Sequence, residues 1–159
     1  MRSVGYILVF GSALLLFFGF RAFLLGRSAL GEEMYRFISY ARRNIECYMS
    51  PLAKNNTPFE SAALESVGFL PLIRAGRSPG DAYRTVKDRL VLSREIRVTL
   101  DELFLSPSGY HSHEVKSYEL AERRIFAELE RERVANDEKI KVVAGILFAL
   151  ASGLALIAL

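Results

Sequence analysis

The chain has little with which to do covalent chemistry. Among its 159 residues are one cysteine and two histidines. A lone Cys47 allows no intrachain disulfide, and its place among apolar residues of a helical pattern suits a small buried side chain. His111 and His113 supply two imidazoles, but catalytic zinc needs a third ligand and a shaped pocket, and no third histidine exists. There is no Gly-x-Ser-x-Gly elbow and no glycine loop closing on Gly-Lys-Ser/Thr. Carboxylates occur interleaved with arginines, as on solvated helix faces. Nothing here supports an enzyme, a cofactor or a resident metal. The middle of the chain also lacks net charge: 18 of the 21 Lys/Arg and all 18 Asp/Glu fall within 28–141. The overall +3 therefore belongs to Arg2, Arg21 and Arg27. Nucleic-acid binding needs a net basic face, so that class drops out.

What is abundant is apolar length at the two ends. Residues 3–20 carry no charge, and the run continues past Arg21 to residue 25, with Arg21 placed to snorkel. Residues 142–159 are 18 uncharged positions. A spanning helix needs about 20 apolar residues, so both read as transmembrane helices. A cleaved leader fits the first run poorly, because its basic region would be Arg2 alone and no small-x-small site follows. In the second run Gly145, Ala149 and Gly153 recur every fourth residue, which puts small side chains on one face, where another membrane helix can approach closely. The nearest candidate for that helix is the first segment. Arg21, Arg27, Arg36, Arg42 and Arg43 follow the first run, and Arg131, Arg133, Lys139 and Lys141 precede the second. Only Arg2 lies on the other side. The bias of basic residues places the middle in the cytoplasm.

The middle is patterned for helices throughout. Leu30, Met34, Phe37, Ile38, Ala41, Ile45, Tyr48 and Leu52 share one face, and Ser50-Pro51 ends or kinks that helix. Thr57-Pro58-Phe59-Glu60 has the form of a capping box, and Ser78-Pro79-Gly80-Asp81 repeats it more weakly. Ala62, Ala63, Val67, Leu70 and Ile73 form the apolar set between them, broken by Gly68 and Pro71 and closed by Gly76. Further stripes are Ala82, Tyr83, Val86 and Leu90, then Leu92, Ile96, Leu100, Leu103 and Phe104 after a Ser93 cap. Ser106-Pro107-Ser108-Gly109 is a turn. A last helix starts near Ser112 and bears Val115, Tyr118, Ala121, Ile125 and Leu129, with no Gly or Pro before Gly145. The expected class is all-α: a membrane-anchored bundle of five or six helices with an N-terminal and a C-terminal transmembrane helix. Its parts are 3–25, the cytoplasmic bundle 28–138, and 142–159.

One stretch is lopsided. From Arg74 to Arg97 stand Arg74, Arg77, Arg84, Lys87, Arg89, Arg94 and Arg97 against Asp81, Asp88 and Glu95, a net of +4. Arg74, Arg77, Arg84, Lys87 and Arg89 are the candidate contacts for an acidic partner or for anionic lipid.

Several short stretches, in this order, resemble the stage III sporulation protein AB family of endospore-forming bacteria. They are Ile45 with Ser50-Pro51-Leu52, Gly76-Arg77-Ser78 with Ala82-Tyr83, and Glu138-Lys139 leading to Gly145. The layout resembles the family over the whole length. Asn44 stands where the family has Glu, and Ser106-Pro107-Ser108-Gly109 replaces its Leu-Gly with a following Asp. The resemblance implies a domain similar to a cytoplasmic domain of the type II secretion F platform protein. It further implies a non-enzymatic part of the channel-like complex between mother cell and forespore, in the mother-cell membrane around the forespore. Its partners would be other proteins of that complex, including an ATPase, along with membrane lipid, and a homo-oligomer is compatible with it. A platform protein of a pilus or type II secretion system is the alternative. A membrane-anchored metalloenzyme on His111 and His113 is the reading from another class.

Overall fold

In the computed structural model the described residues are 2–48, 59–105 and 111–157, with side chains described over 10–46, 59–105 and 114–154. They form six α-helices and one 3-10 turn, with no strand among them. These are α1 (Arg2–Tyr48), α2 (Ala62–Ser66), α3 (Phe69–Arg74), α4 (Pro79–Val86), the 3-10 turn Lys87–Arg89, α5 (Arg94–Leu105) and α6 (His111–Ile157). The chain divides into two compact units: residues 1–26 with 131–159, and residues 27–130. The expected bundle ran to 138, whereas the second unit closes at Glu130. The turn at 106–109 and the break at Ser50-Pro51 lie outside the described residues.

The second unit is built on the predicted stripe of α1. Leu30, Met34, Phe37, Ile38, Ala41 and Ile45 are all buried, and from α6 Tyr118, Ile125 and Leu129 join the same core. Three contacts fix the direction of the two helices here. Gly31 lies against Leu129, Tyr35 stacks on Phe126 with centroids 5.8 Å apart, and Arg42 pairs with Glu122 at 2.7 Å. Rising numbers on α1 meet falling numbers on α6, so the pair is antiparallel. Phe37 anchors the centre, edge-on to Phe59 at 5.6 Å and to Phe69 at 4.9 Å. Such ring pairs add roughly 0.5–1.5 kcal/mol each beyond their burial.

The short helices start and stop by local chemistry, not always where the motifs suggest. Phe59 and Glu60 are not helical. α2 instead takes Ser61 as its N-cap, whose Oγ accepts the Leu64 amide at 3.2 Å. Packing of the Phe59 ring against Phe37 and Tyr40 holds this stretch outside the helix; Thr57 and Pro58 lie outside the described residues. Gly68, at φ 87°, separates α2 from α3. Pro71 does not break the chain, because it occupies the first turn of α3, where its missing amide would have no helical partner. Gly76, at φ 85°, closes α3, with its amide on the Ile73 carbonyl and the Arg77 amide on Leu72. Ser78 caps α4 as expected, accepting the Asp81 amide at 3.1 Å with Pro79 in the first turn. Ser93 caps α5 in the same way, through the Ile96 amide at 3.3 Å.

In the first unit burial recurs with helical period on both segments. Ala13, Phe17, Phe20 and Leu24 on α1 and Ile140, Val143, Ala144, Leu147 and Ala151 on α6 recur on one face each; Gly11 on α1 and Glu132, Ala135, Asn136, Ser152 and Gly153 on α6 are half-buried as well. The unit contains only these two segments, so the two faces shelter each other. The rest of the surface is large and apolar: Leu15, Leu16, Phe148 and Leu150 are all more than half exposed.

Candidate functional site

The basic stretch folds as the end of α3, the turn after it, α4, the 3-10 turn and the start of α5. Folding brings two carboxylates to it from outside. Arg74 Nη2 meets Glu65 Oε1 at 2.6 Å, and Lys87 Nζ reaches Asp101 Oδ1 at 3.3 Å. Counting these two acids lowers the excess from +4 to +2. Arg84 is 3.6 Å from Asp81, with both side chains exposed, a pair that contributes little. Arg77 and Arg89 are exposed and make no ion pair among the described residues. Of the five predicted contacts, then, two are taken up internally, one is loosely held and two are open. Neither internal pair follows the i,i+4 rule of a single helix. Each crosses between elements, so the sequence carried no local signal for it.

Behind this surface Tyr83 is buried. Its hydroxyl donates to Asp101 Oδ1 at 2.9 Å and lies 3.4 Å from the Arg97 carbonyl. Burial, and after it the hydrogen bond to Asp101 and that group's charge, hold the phenol well above its ordinary pKa. Tyr83 is therefore a neutral donor that positions Asp101 for Lys87. Elsewhere in the unit, Arg42 bridges Glu122 of α6 and Glu46 of its own helix. Partial burial pulls its pKa down, but the two carboxylates outweigh that and raise it. This cation is locked in place.

Two shallow grooves of about 310 Å³ each flank α6 in this unit. One lies along α5, with Leu103 and Leu120 inside it and the exposed Arg124–Glu102 ion pair among its lining. The other lies along α1, lined by Tyr35, Phe126 and paired charges. Neither holds a nucleophile beside a base. Among the described residues no three His, Cys, Asp or Glu side chains converge as metal ligands; the side chains of His111 and His113 lie outside them. Asn44, the residue that departs from the resembled family, has its Nδ2 buried without a hydrogen-bond partner.

No family model, curated protein or solved structure matches this chain. The chemistry must therefore be read from its own surfaces. The small-residue stripe is the second such surface. Gly145 and Ala149 are exposed, and a Cβ added at Gly145 or Gly153 would meet nothing within 4 Å. At about 100° per residue the stripe points almost directly away from the face carrying Val143, Leu147 and Ala151. Gly145 and Ala149 thus lie on the exposed side of α6, while Gly153 is half-buried. Among the described residues one helix, α1, is long and apolar enough to cross a membrane: its best 18-residue window has a mean hydropathy of 1.6 with only 11% of that window buried. A core helix of a soluble domain would be mostly covered.

Proposed function

We propose that this chain is a non-enzymatic platform protein anchored in the cell membrane by both ends, with residues 27–130 as a cytoplasmic docking bundle. The observation that carries the reading is the bare apolar surface of α1, which has no partner in water and a ready one in lipid. The uncharged surface of α6 beyond residue 142 supports a second crossing, and the flanking basic residues support the orientation. The motif order supports the stage III sporulation AB resemblance, and with it a place in the mother-cell membrane around the forespore. A secretion-type ATPase is then the partner of the bundle, with Arg77 and Arg89 as the open charges it would meet. The small stripe of Gly145, Ala149 and Gly153, of which the first two are exposed, suits a neighbouring membrane helix of the complex.

The test is retention of a secretion-type ATPase from the same organism on tagged full-length protein in detergent. Retention is expected from the parent and from Arg74→Gln, whose guanidinium is held by Glu65 at 2.6 Å and is less free to meet a partner than Arg77 or Arg89. The Arg77→Glu/Arg89→Glu variant should lose it. Absence of retention by the parent removes the ATPase from the reading. Undiminished retention by the double variant removes the arginines.

A further inference from the structure

One side of the helix pair in the first unit has cations at one end and bare apolar side chains beyond them. The shared face is centred near Leu24 on α1 and near Leu147 and Ala151 on α6. At about 100° per residue, Arg21 stands roughly 70° round from the α1 face and Lys141 roughly 100° round from the α6 face. The segments are antiparallel when their buried ends, Leu24 with Ile140 and Ala13 with Ala151, are set level. Turning in the same chain sense on two antiparallel helices leads to the same side of the pair. By this helical geometry Arg21 and Lys141 fall on one side of the pair, within about one helical turn of each other in height. Lys139 falls on the opposite side. Farther along the same side lie Leu14, Phe18 and Phe148, exposed at 56%, 57% and 73%. Arg21, Lys141 and the neighbouring Asp137 are all exposed and make no ion pair among the described residues.

We propose that Arg21 and Lys141 clamp the phosphate of an anionic phospholipid, whose acyl chain lies along Leu14, Phe18 and Phe148. The proposal rests on the membrane-spanning reading above. Two unpaired cations at the boundary of an apolar surface sit at headgroup depth, where long basic side chains reach phosphate. The apolar floor selects a lipid over a free anion, since inorganic phosphate has nothing to bury there.

Full-length protein is reconstituted in phosphatidylcholine with a minor share of phosphatidylglycerol, extracted, and its retained lipid counted by native mass spectrometry. Phosphatidylglycerol should be enriched over its share. Arg21→Gln and Lys141→Gln should each lower that enrichment about fivefold, and the double variant roughly 25-fold. Arg21→Lys and Lys139→Gln should leave it unchanged, which also guards against a folding defect in the glutamine variants. Equal loss with Lys139→Gln would mean general interfacial charge and would overturn the clamp, as would absence of enrichment. Displacement of the lipid by millimolar inorganic phosphate would also overturn it. Flotation of the parent with pure phosphatidylcholine vesicles is read separately. A parent that floats without enriching phosphatidylglycerol keeps the anchor and loses the clamp, and one that does not float loses both.

Discussion

Replacing Gly80 by alanine should unfold the bundle more easily, and the reason is a single backbone oxygen. A Cβ at Gly80 would stand 2.8 Å from the carbonyl oxygen of Phe104. That atom belongs to the last turn of α5 and cannot rotate away, so the start of α4 must back off. The contact it would leave includes Tyr83 on Phe104, with ring centroids 5.2 Å apart, and the Tyr83 hydrogen bond to Asp101. Overpacking of this kind costs about 1–3 kcal/mol, while alanine in a first turn recovers only a fraction of the roughly 1 kcal/mol by which it outranks glycine in a helix interior. The net loss expected is about 1–2 kcal/mol, or roughly 5–10 °C in Tm for a bundle of this size. Gly31 is the control. Its added Cβ would meet Leu129 Cδ2 at 2.9 Å and Ile96 Cδ1 at 3.4 Å. Both are ends of side chains that can turn, and Gly31 is deep inside α1, where the helix gain is full. Gly31→Ala should stay within about 0.5 kcal/mol of the parent. Thermal and denaturant unfolding of the three proteins in one detergent, followed by far-UV circular dichroism, provides the comparison. If Gly80→Ala matches the parent, or if Gly31→Ala is the worse of the two, the packing argument fails.

Alkaline stability should also depend on named residues. Burial raises the pKa of both Tyr83 and Tyr118, aided at Tyr118 by the charge of Glu114. A raised folded-state pKa gives stability that is full below the unfolded value of about 10 and drains away as the pH climbs past it. The Tyr83→Phe/Tyr118→Phe variant should therefore lose less stability than the parent between pH 9 and pH 11 (approximate bounds set by that reference value), and a parallel loss would refute this. Phe37→Ala removes a ring 1% exposed between Phe59 and Phe69 and should cost about 3–5 kcal/mol in the same unfolding assay. Ser93→Ala should cost about 1 kcal/mol in the same assay, because the lost acceptor serves the Ile96 amide. On the proposed membrane-spanning reading, Gly145→Leu with Gly153→Leu should leave insertion unchanged and abolish crosslinking to neighbouring helices; normal crosslinking would make the segment a plain anchor.

The all-helical class was legible because long helices write a periodic signal. The stripe from Leu30 to Ile45 and that from Tyr118 to Leu129 are both buried as their spacing predicts. The short helices gave less. Leu64 and Phe69 are fully covered, yet in five- and six-residue helices there is no period to find, and the apolar set chosen from spacing included the exposed Ala62 instead. Caps were readable where a hydroxyl had no rival, as at Ser78 and Ser93. The start of α2 shifted to Ser61 because Phe59 gains more in the core than in a helix. Of the basic stretch, the residues were legible but their partners were not, since Glu65 and Asp101 reach it through tertiary packing. The exposure of Gly145 and Ala149 depended on which face of α6 is sheltered, and spacing alone leaves that undecided.

The antiparallel meeting of α1 and α6 in the bundle sets a schedule for the newborn chain. Arg42 and Glu122 are 80 residues apart, and the helices between them are five to twelve residues long, too short to hold their shape unaided. At roughly 5–20 residues per second of synthesis, about 4–16 seconds pass between the two sides of that ion pair. Through that interval Met34, Phe37 and Ile38 have no Ile125 or Leu129 to cover them. A chain that halts before α6 is thus left with a finished α1 and an open core, and is a natural client for chaperones.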